Sequence, residues 1–142
     1  WSQYIARTVK SGRLVSIDLK SMEEIDNIIQ IKGDFTDLDS QQKIKSLFKS
    51  KVDVVVSDMA VNTTGIKDID AIYTGELAME AMNFSKEMLV KEGRFVSKIF
   101  LGSSFNEIVA LGKKIFKEVK VFKPKSSRKE SKESFIICKT LR

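Results

Sequence analysis

The run Val52–Ala60, VDVVVSDMA, decides the fold. Branching at Cβ dominates its first five positions and favours the pleated strand over the helix. Near-continuous apolar character, rather than strict alternation, predicts a central parallel strand, Val52–Ser57, buried on both faces. The acid that follows, Asp58, then stands at the strand's carboxyl end, where open α/β sheets hold their ligands.

Working outward, Leu14–Asp18, Arg94–Phe100 and Ser134–Lys139 read as further strands, with weaker ones at Ile28–Lys32 and Val119–Phe122. Helical spacing appears in four places. Ser2–Lys10 opens the chain. Gln41–Lys49 sets Ile44, Leu47 and Phe48 on one face. Thr74–Leu89 aligns Leu77, Ala78, Ala81, Met82, Ser85, Met88 and Leu89, and Gly93 then reads as the residue that ends it. Ser104–Lys117 aligns Phe105, Ile108, Val109, Gly112, Ile115 and Phe116. Alternation of strand and helix predicts right-handed βαβ units and a doubly wound α/β sheet. The last two strands have only a loop between them, so they are expected to pair antiparallel. That departs from the plain dinucleotide-binding fold and resembles the Rossmann-like sheet of class I methyltransferases.

Length and composition narrow the chemistry. With 142 residues, 42% hydrophobic and 31% charged, residues 1–142 read as one globular domain. There is no histidine and only one cysteine, Cys138, which removes Ser-His-Asp and Cys-His catalysis, disulfides and His- or Cys-built metal centres; no metal is expected. No apolar run approaches the roughly 20 residues of a membrane span, and residues 1–15 lack the apolar core of a signal peptide, so a cytoplasmic protein is expected. The net charge of +6 is uneven: residues 112–142 carry 11 basic and 3 acidic side chains, against 14 and 16 in residues 1–111. A field concentrated at one end suits a polyanionic partner, although a solvated lysine-rich face produces the same composition.

The strand ends carry the candidate site. Asp18 could accept hydrogen bonds from ribose hydroxyls, and Asp34 from an exocyclic amine, with Phe35 as an aromatic wall for a base; each also fits an ordinary turn or core residue. Lys98 stands between Val96 and Ile99 in a strand expected to be buried. Lysine is almost never enclosed without a partner, and a desolvated lysine gives up its proton more readily, which suits a base. Glu133 begins the last strand, and pairing of that strand beside Arg94–Phe100 would bring a carboxylate close to Lys98. The loop between the last two strands, with Lys123, Lys125, Arg128, Lys129 and Lys132, suits contact with phosphate.

Together, SDMAVN (57–62), VSKIF (96–100), KPKSSRKESKESFII (123–137), GDF (33–35) and the opening WSQY (1–4) resemble the RrmJ/FtsJ family of RNA ribose 2′-O-methyltransferases. WSQY matches the residues just after that family's glycine-rich loop, GAAPGGWSQ. The resemblance covers the whole chain and is closest to the bacterial branch that methylates a uridine ribose in large-subunit ribosomal RNA. It implies S-adenosylmethionine as cofactor, held by Trp1, Asp18, Asp34, Phe35 and Asp58. It also implies a Lys-Asp-Lys-Glu tetrad in which Asp58, Lys98 and Glu133 take the last three places. The first lysine, the first strand and the glycine-rich loop are expected upstream of Trp1, and the domain is expected to be N-terminally incomplete here. Val61 departs from the proline usual in the family's SDMAPN. The implied partner is ribosomal RNA within the large subunit or its precursor, bound by a monomer. Alternatives are a non-catalytic RNA-binding fragment, an FtsJ-like enzyme acting on tRNA, and a nicotinamide-dependent oxidoreductase, which would need a GxGxxG turn that residues 1–142 do not contain.

Overall fold

The computed structural model describes residues 1–59, 66–102, 104–123 and 133–142, the side chains of residues 67 and 68 excepted. Ten elements follow one another: α1 (Ser2–Thr8), β1 (Val15–Asp18), β2 (Ile29–Lys32), α2 (Leu38–Ser46), β3 (Val52–Ser57), α3 (Lys67–Met88), β4 (Leu89–Phe100), α4 (Phe105–Ile115), β5 (Phe116–Phe122) and β6 (Glu133–Leu141). The order of helices and strands is the one the hydrophobic pattern predicts. They group into two compact units, residues 1–50 and 51–142.

In the first unit β1 and β2 run parallel, with Asp18 opposite Lys32. Ile31, Phe35 and Ile44 form its buried apolar set. The side chain of Gln30 organises the segment before β2. Its Nε2 donates to the Glu23 carbonyl at 3.0 Å, and its Oε1 accepts from the Ile25 N–H at 3.0 Å. Asn27 takes a positive φ of 69°, a conformation asparagine adopts more readily than most residues.

The second unit is a four-stranded sheet in the order β3-β4-β6-β5. β3 and β4 are parallel; β6 is antiparallel to both β4 and β5. One face meets α3 and α4 and holds the core. Phe95, Ile99, Ile136 and Cys138 from the sheet, and Met82 and Ile108 from the helices, are all 2% exposed or less. Phe95 and Phe116 stack with ring centroids 6.3 Å apart. Burial pushes the Cys138 thiol up to about 12, which makes it an inert core residue.

Three expectations change. The Val52–Ser57 strand is not covered on both faces: Val54 is 50% exposed and Val56 37%. Among the described residues β3 is paired on the β4 side alone. Second, α3 ends at Met88, and Gly93 lies inside β4 instead of terminating the helix. Glycine is required there by close approach, since a Cβ would stand 2.9 Å from the Val90 carbonyl oxygen. The register of β3 against β4 shifts between Val52 and Val54, beside this tight segment. Third, β4 therefore starts at Leu89, five residues earlier than its β-branched stretch suggests. Thr140, at φ 65°, marks a further irregularity near the end of β6.

Candidate active site

In the first unit, the two cofactor-type acids stand together at the carboxyl ends of adjacent parallel strands. Asp18 is the last residue of β1, and its carbonyl accepts from the Gly33 N–H at 2.8 Å, so Asp34 follows one residue beyond that bridge. Asp18 is exposed and its Oδ1 accepts from the Lys20 N–H at 3.0 Å. Asp34 closes a short turn. Its Oδ1 accepts from the Thr36 hydroxyl at 2.7 Å and from the Thr36 N–H at 2.9 Å. These two bonds hold the Asp34 carboxyl below its usual range, so it is a carboxylate at neutral pH. Phe35 is 8% exposed, so its ring belongs mainly to the core of the unit. Two neighbouring carboxylates at a strand-end crevice suit the hydroxyl and amine donors of a nucleoside. Trp1, 46% exposed, precedes α1 as its N-cap residue.

In the second unit, strand register decides which side chains meet. Ser57, the last residue of β3, pairs with Ser97, and both are buried toward the helices. The next residues, Asp58 and Lys98, therefore stand side by side at the point where β3 ends. On the other side of β4, Lys98 pairs with Phe135 and Phe100 with Glu133. Glu133 is thus the diagonal neighbour of Lys98, a separation of roughly 7–8 Å that long side chains cross. Strand alternation puts Lys98 and Glu133 on the same face, the one opposite α3 and α4. Asp58 is exposed; Lys98 and Glu133 are half-buried. The expectation of an enclosed Lys98 is corrected accordingly. β4 is buried on one face only, and Lys98 projects from the other.

The structure thus brings Asp58, Lys98 and Glu133 to one end of one sheet, while Asp18 and Asp34 stand at neighbouring strand ends in the other unit. Lys123 is exposed just after β5. Lys125, Arg128, Lys129, Lys132 and Val61 lie outside the described residues. The same register shows what sequence reading missed. Phe135 and Phe122 are paired across β6 and β5, on the Lys98 face. Their alternation was visible, but their partners were not. Among the described residues no group of three or more His, Cys, Asp or Glu side chains could hold a metal ion, and no helix is long and apolar enough to cross a membrane.

Comparison with known proteins gives this geometry a lineage. Residues 1–141 match the model of the FtsJ-like methyltransferase family. The chain is 94% identical over 142 residues to ribosomal RNA large subunit methyltransferase E of Pelagibacter ubique (strain HTCC1062), spanning all of this chain and 70% of that one. It is 39% identical to the protein of the same name from Methanosphaera stadtmanae, again over all of this chain and 71% of the relative. Among solved structures, one described as a ribosomal RNA methyltransferase from Plasmodium falciparum superposes with a TM-score of 0.86 at 28% identity. That match covers 99% of this chain and 80% of the other. Human methyltransferase-like protein 13, solved with SAH, shares the fold at a TM-score of 0.67 and 13% identity, over 96% of this chain and 65% of that one. The chain belongs to the FtsJ-like methyltransferase family.

Proposed function

We infer that the protein methylates ribosomal RNA, transferring a methyl group from S-adenosylmethionine to a ribose 2′-oxygen of the large subunit. Family membership and near-identity to a large-subunit methyltransferase support the activity. The observation that carries the assignment of residues is the register that sets Asp58 and Glu133 on either side of Lys98.

S-adenosylmethionine, when bound, supplies a methyl group already activated by a positively charged sulfur. Asp18 and Asp34, at neighbouring strand ends, fit its nucleoside, and Trp1 is a further contact that family membership supports, whereas the Phe35 ring serves mainly the core. What remains for the protein is to align a ribose hydroxyl and take its proton. Alignment is worth up to roughly 7–11 kcal/mol in well-oriented reactions. Lys98 acts on the 2′-hydroxyl proton, a contribution typically of about 10²–10⁴-fold. Asp58 and Glu133 hold the lysine between two carboxylates and fix where its nitrogen points. The basic segment Lys123, Lys125, Arg128, Lys129 and Lys132 holds the phosphate backbone. The substrate is the uridine-containing large subunit or its precursor, and the protein works in the cytoplasm as a monomer.

The test uses the full-length protein with labelled S-adenosylmethionine and large subunits lacking the modification. Lys98→Ala should lower methyl transfer by at least about a hundredfold while cofactor affinity holds. Retention of more than about a tenth of the rate would remove Lys98 from this role.

A further inference from the structure

The face of the four-stranded sheet that carries Lys98 also carries an aromatic row. Read across the strands, Lys98 of β4 pairs with Phe135 of β6, and Phe135 pairs with Phe122 of β5. The neighbouring row is Val96, Ile137 and Lys120. Phe122 is 52% exposed, an unusual position for a phenylalanine with a rigid backbone. The backbone is held on two sides. Phe122 is in register with Phe135, and its carbonyl accepts from the buried Ser134 hydroxyl at 2.8 Å. Two interstrand spacings separate the Lys98 and Phe122 columns, about 10 Å.

We propose that Phe122 is a stacking platform for a base of the RNA substrate, next to the nucleotide whose ribose faces Lys98. This rests on the RNA methyltransferase reading above and adds a contact that positions the substrate. An exposed, pre-ordered ring on a sheet face offers every base a π surface at little entropic cost. Charge favours RNA as the occupant: Lys120 shares the face and Lys123 follows directly, both exposed. A second copy of the chain docked along β5 would instead bring Lys117, Lys120 and Lys123 toward their own like charges with Glu118 alone to offset them, and edge lysines disfavour such pairing.

The experiment uses the full-length protein and a methylatable large-subunit RNA segment. Phe122→Ala should weaken RNA affinity and raise KM by roughly 5- to 150-fold, the range for losing one stacked base. S-adenosylmethionine affinity should be unchanged. Phe122→Trp should retain binding, whereas Phe122→Leu, apolar without a π face, should lose it. Abasic substitution at one nucleotide flanking the target should weaken binding to wild type but cause no further loss in Phe122→Ala. If wild type methylates while Phe122→Ala binds RNA equally well, the platform is wrong and the methyltransferase reading stands. If wild type neither binds nor methylates RNA, the underlying reading fails. A concentration-dependent dimer abolished by Phe122→Ala, with RNA affinity intact, would assign the ring to a second copy and overturn the proposal.

Discussion

Gly75 sits where α3 crosses the start of α4, and replacing it tests the packing that fixes the end of β4. A Cβ at position 75 would lie 2.6 Å from Ser104 Cβ, 2.9 Å from its Oγ and 3.5 Å from Ile108 Cδ1. The hydroxyl can rotate away; the Cβ cannot, because Ser104 is the buried N-cap residue of α4 and its carbonyl accepts from the Ile108 N–H at 3.1 Å. Alanine gains about 1 kcal/mol over glycine in a helix interior. Overpacking costs typically about 1–3 kcal/mol, and an approach of 2.6 Å belongs at the upper end. Gly75→Ala should therefore destabilise by about 1–2 kcal/mol. Ser104 makes no side-chain capping bond, so Ser104→Gly should cost only a few tenths of a kcal/mol. It also removes both clashing atoms. With the clash gone the helix gain of about 1 kcal/mol remains, so the double variant should be at least as stable as wild type, with a coupling of about 2–3 kcal/mol in favour of the pair. Urea unfolding of the full-length protein, followed by circular dichroism, measures each corner of the cycle, with an unchanged m-value as the check that only stability moved. A Gly75→Ala protein as stable as wild type, or an equal penalty in the Ser104→Gly background, would refute the contact as drawn.

Three further outcomes follow from the same residues. Asp18→Ala and Asp34→Ala should each weaken S-adenosylmethionine binding by about 1.5–3 kcal/mol and leave RNA affinity nearly intact; calorimetry showing no change in either would return both to ordinary turn residues. Charge reversal at Lys125 and Arg128 should weaken RNA binding and flatten its salt dependence by about 0.7–0.9 per lost phosphate contact; an unchanged slope would identify a merely solvated loop. Burial raises the Cys138 thiol from near 9 to about 12, so the unfolded chain releases that proton first. Its contribution to stability is complete below about pH 9 and declines as pH rises toward 12. The stability difference between wild type and Cys138→Ala should shrink across that window, and a constant difference would contradict it.

Much of this was legible because one physical rule governed it. The order of elements and the antiparallel end follow from apolar periodicity and from a last connection that carries no helical pattern. Asp18, Asp34 and Asp58 stand out because open parallel sheets hold ligands at the carboxyl ends of their strands, and the structure sets all three at strand ends. Boundaries were less legible. The sequence of α3 is apolar on its core face only from Thr74 onward, whereas the helix begins at Lys67. Gly93 reads as a helix end because glycine just beyond a helical pattern commonly takes the C′ place, and only the backbone shows it squeezed against Val90 instead. The exposure of Val54 and Val56 could not be read from β-branching, which reports strand preference and not what lies across the face.

The half-buried state of Lys98 also changes the argument for its role. An enclosed lysine would have been recognised by the cost of burying it. Here the sheet has one face sealed by α3 and α4 and another that carries Asp58, Lys98, Phe135, Glu133 and Phe122. The sealed face fixes the strands. Ser57, Ser97 and Ser134 are all buried there, within one or two positions of Asp58, Lys98 and Glu133. Adjacent residues on a strand point to opposite faces. Each buried serine therefore anchors a backbone position whose neighbour lies away from the helices: Asp58 after Ser57, Lys98 after Ser97, and Glu133 before Ser134. A core substitution at Ser97 or Ser134 would displace Lys98 or Glu133 without touching either. A site that must hold a ribose hydroxyl within a fraction of an ångström needs its reactive groups placed this way: open to a large substrate, yet fixed from behind by a packed layer.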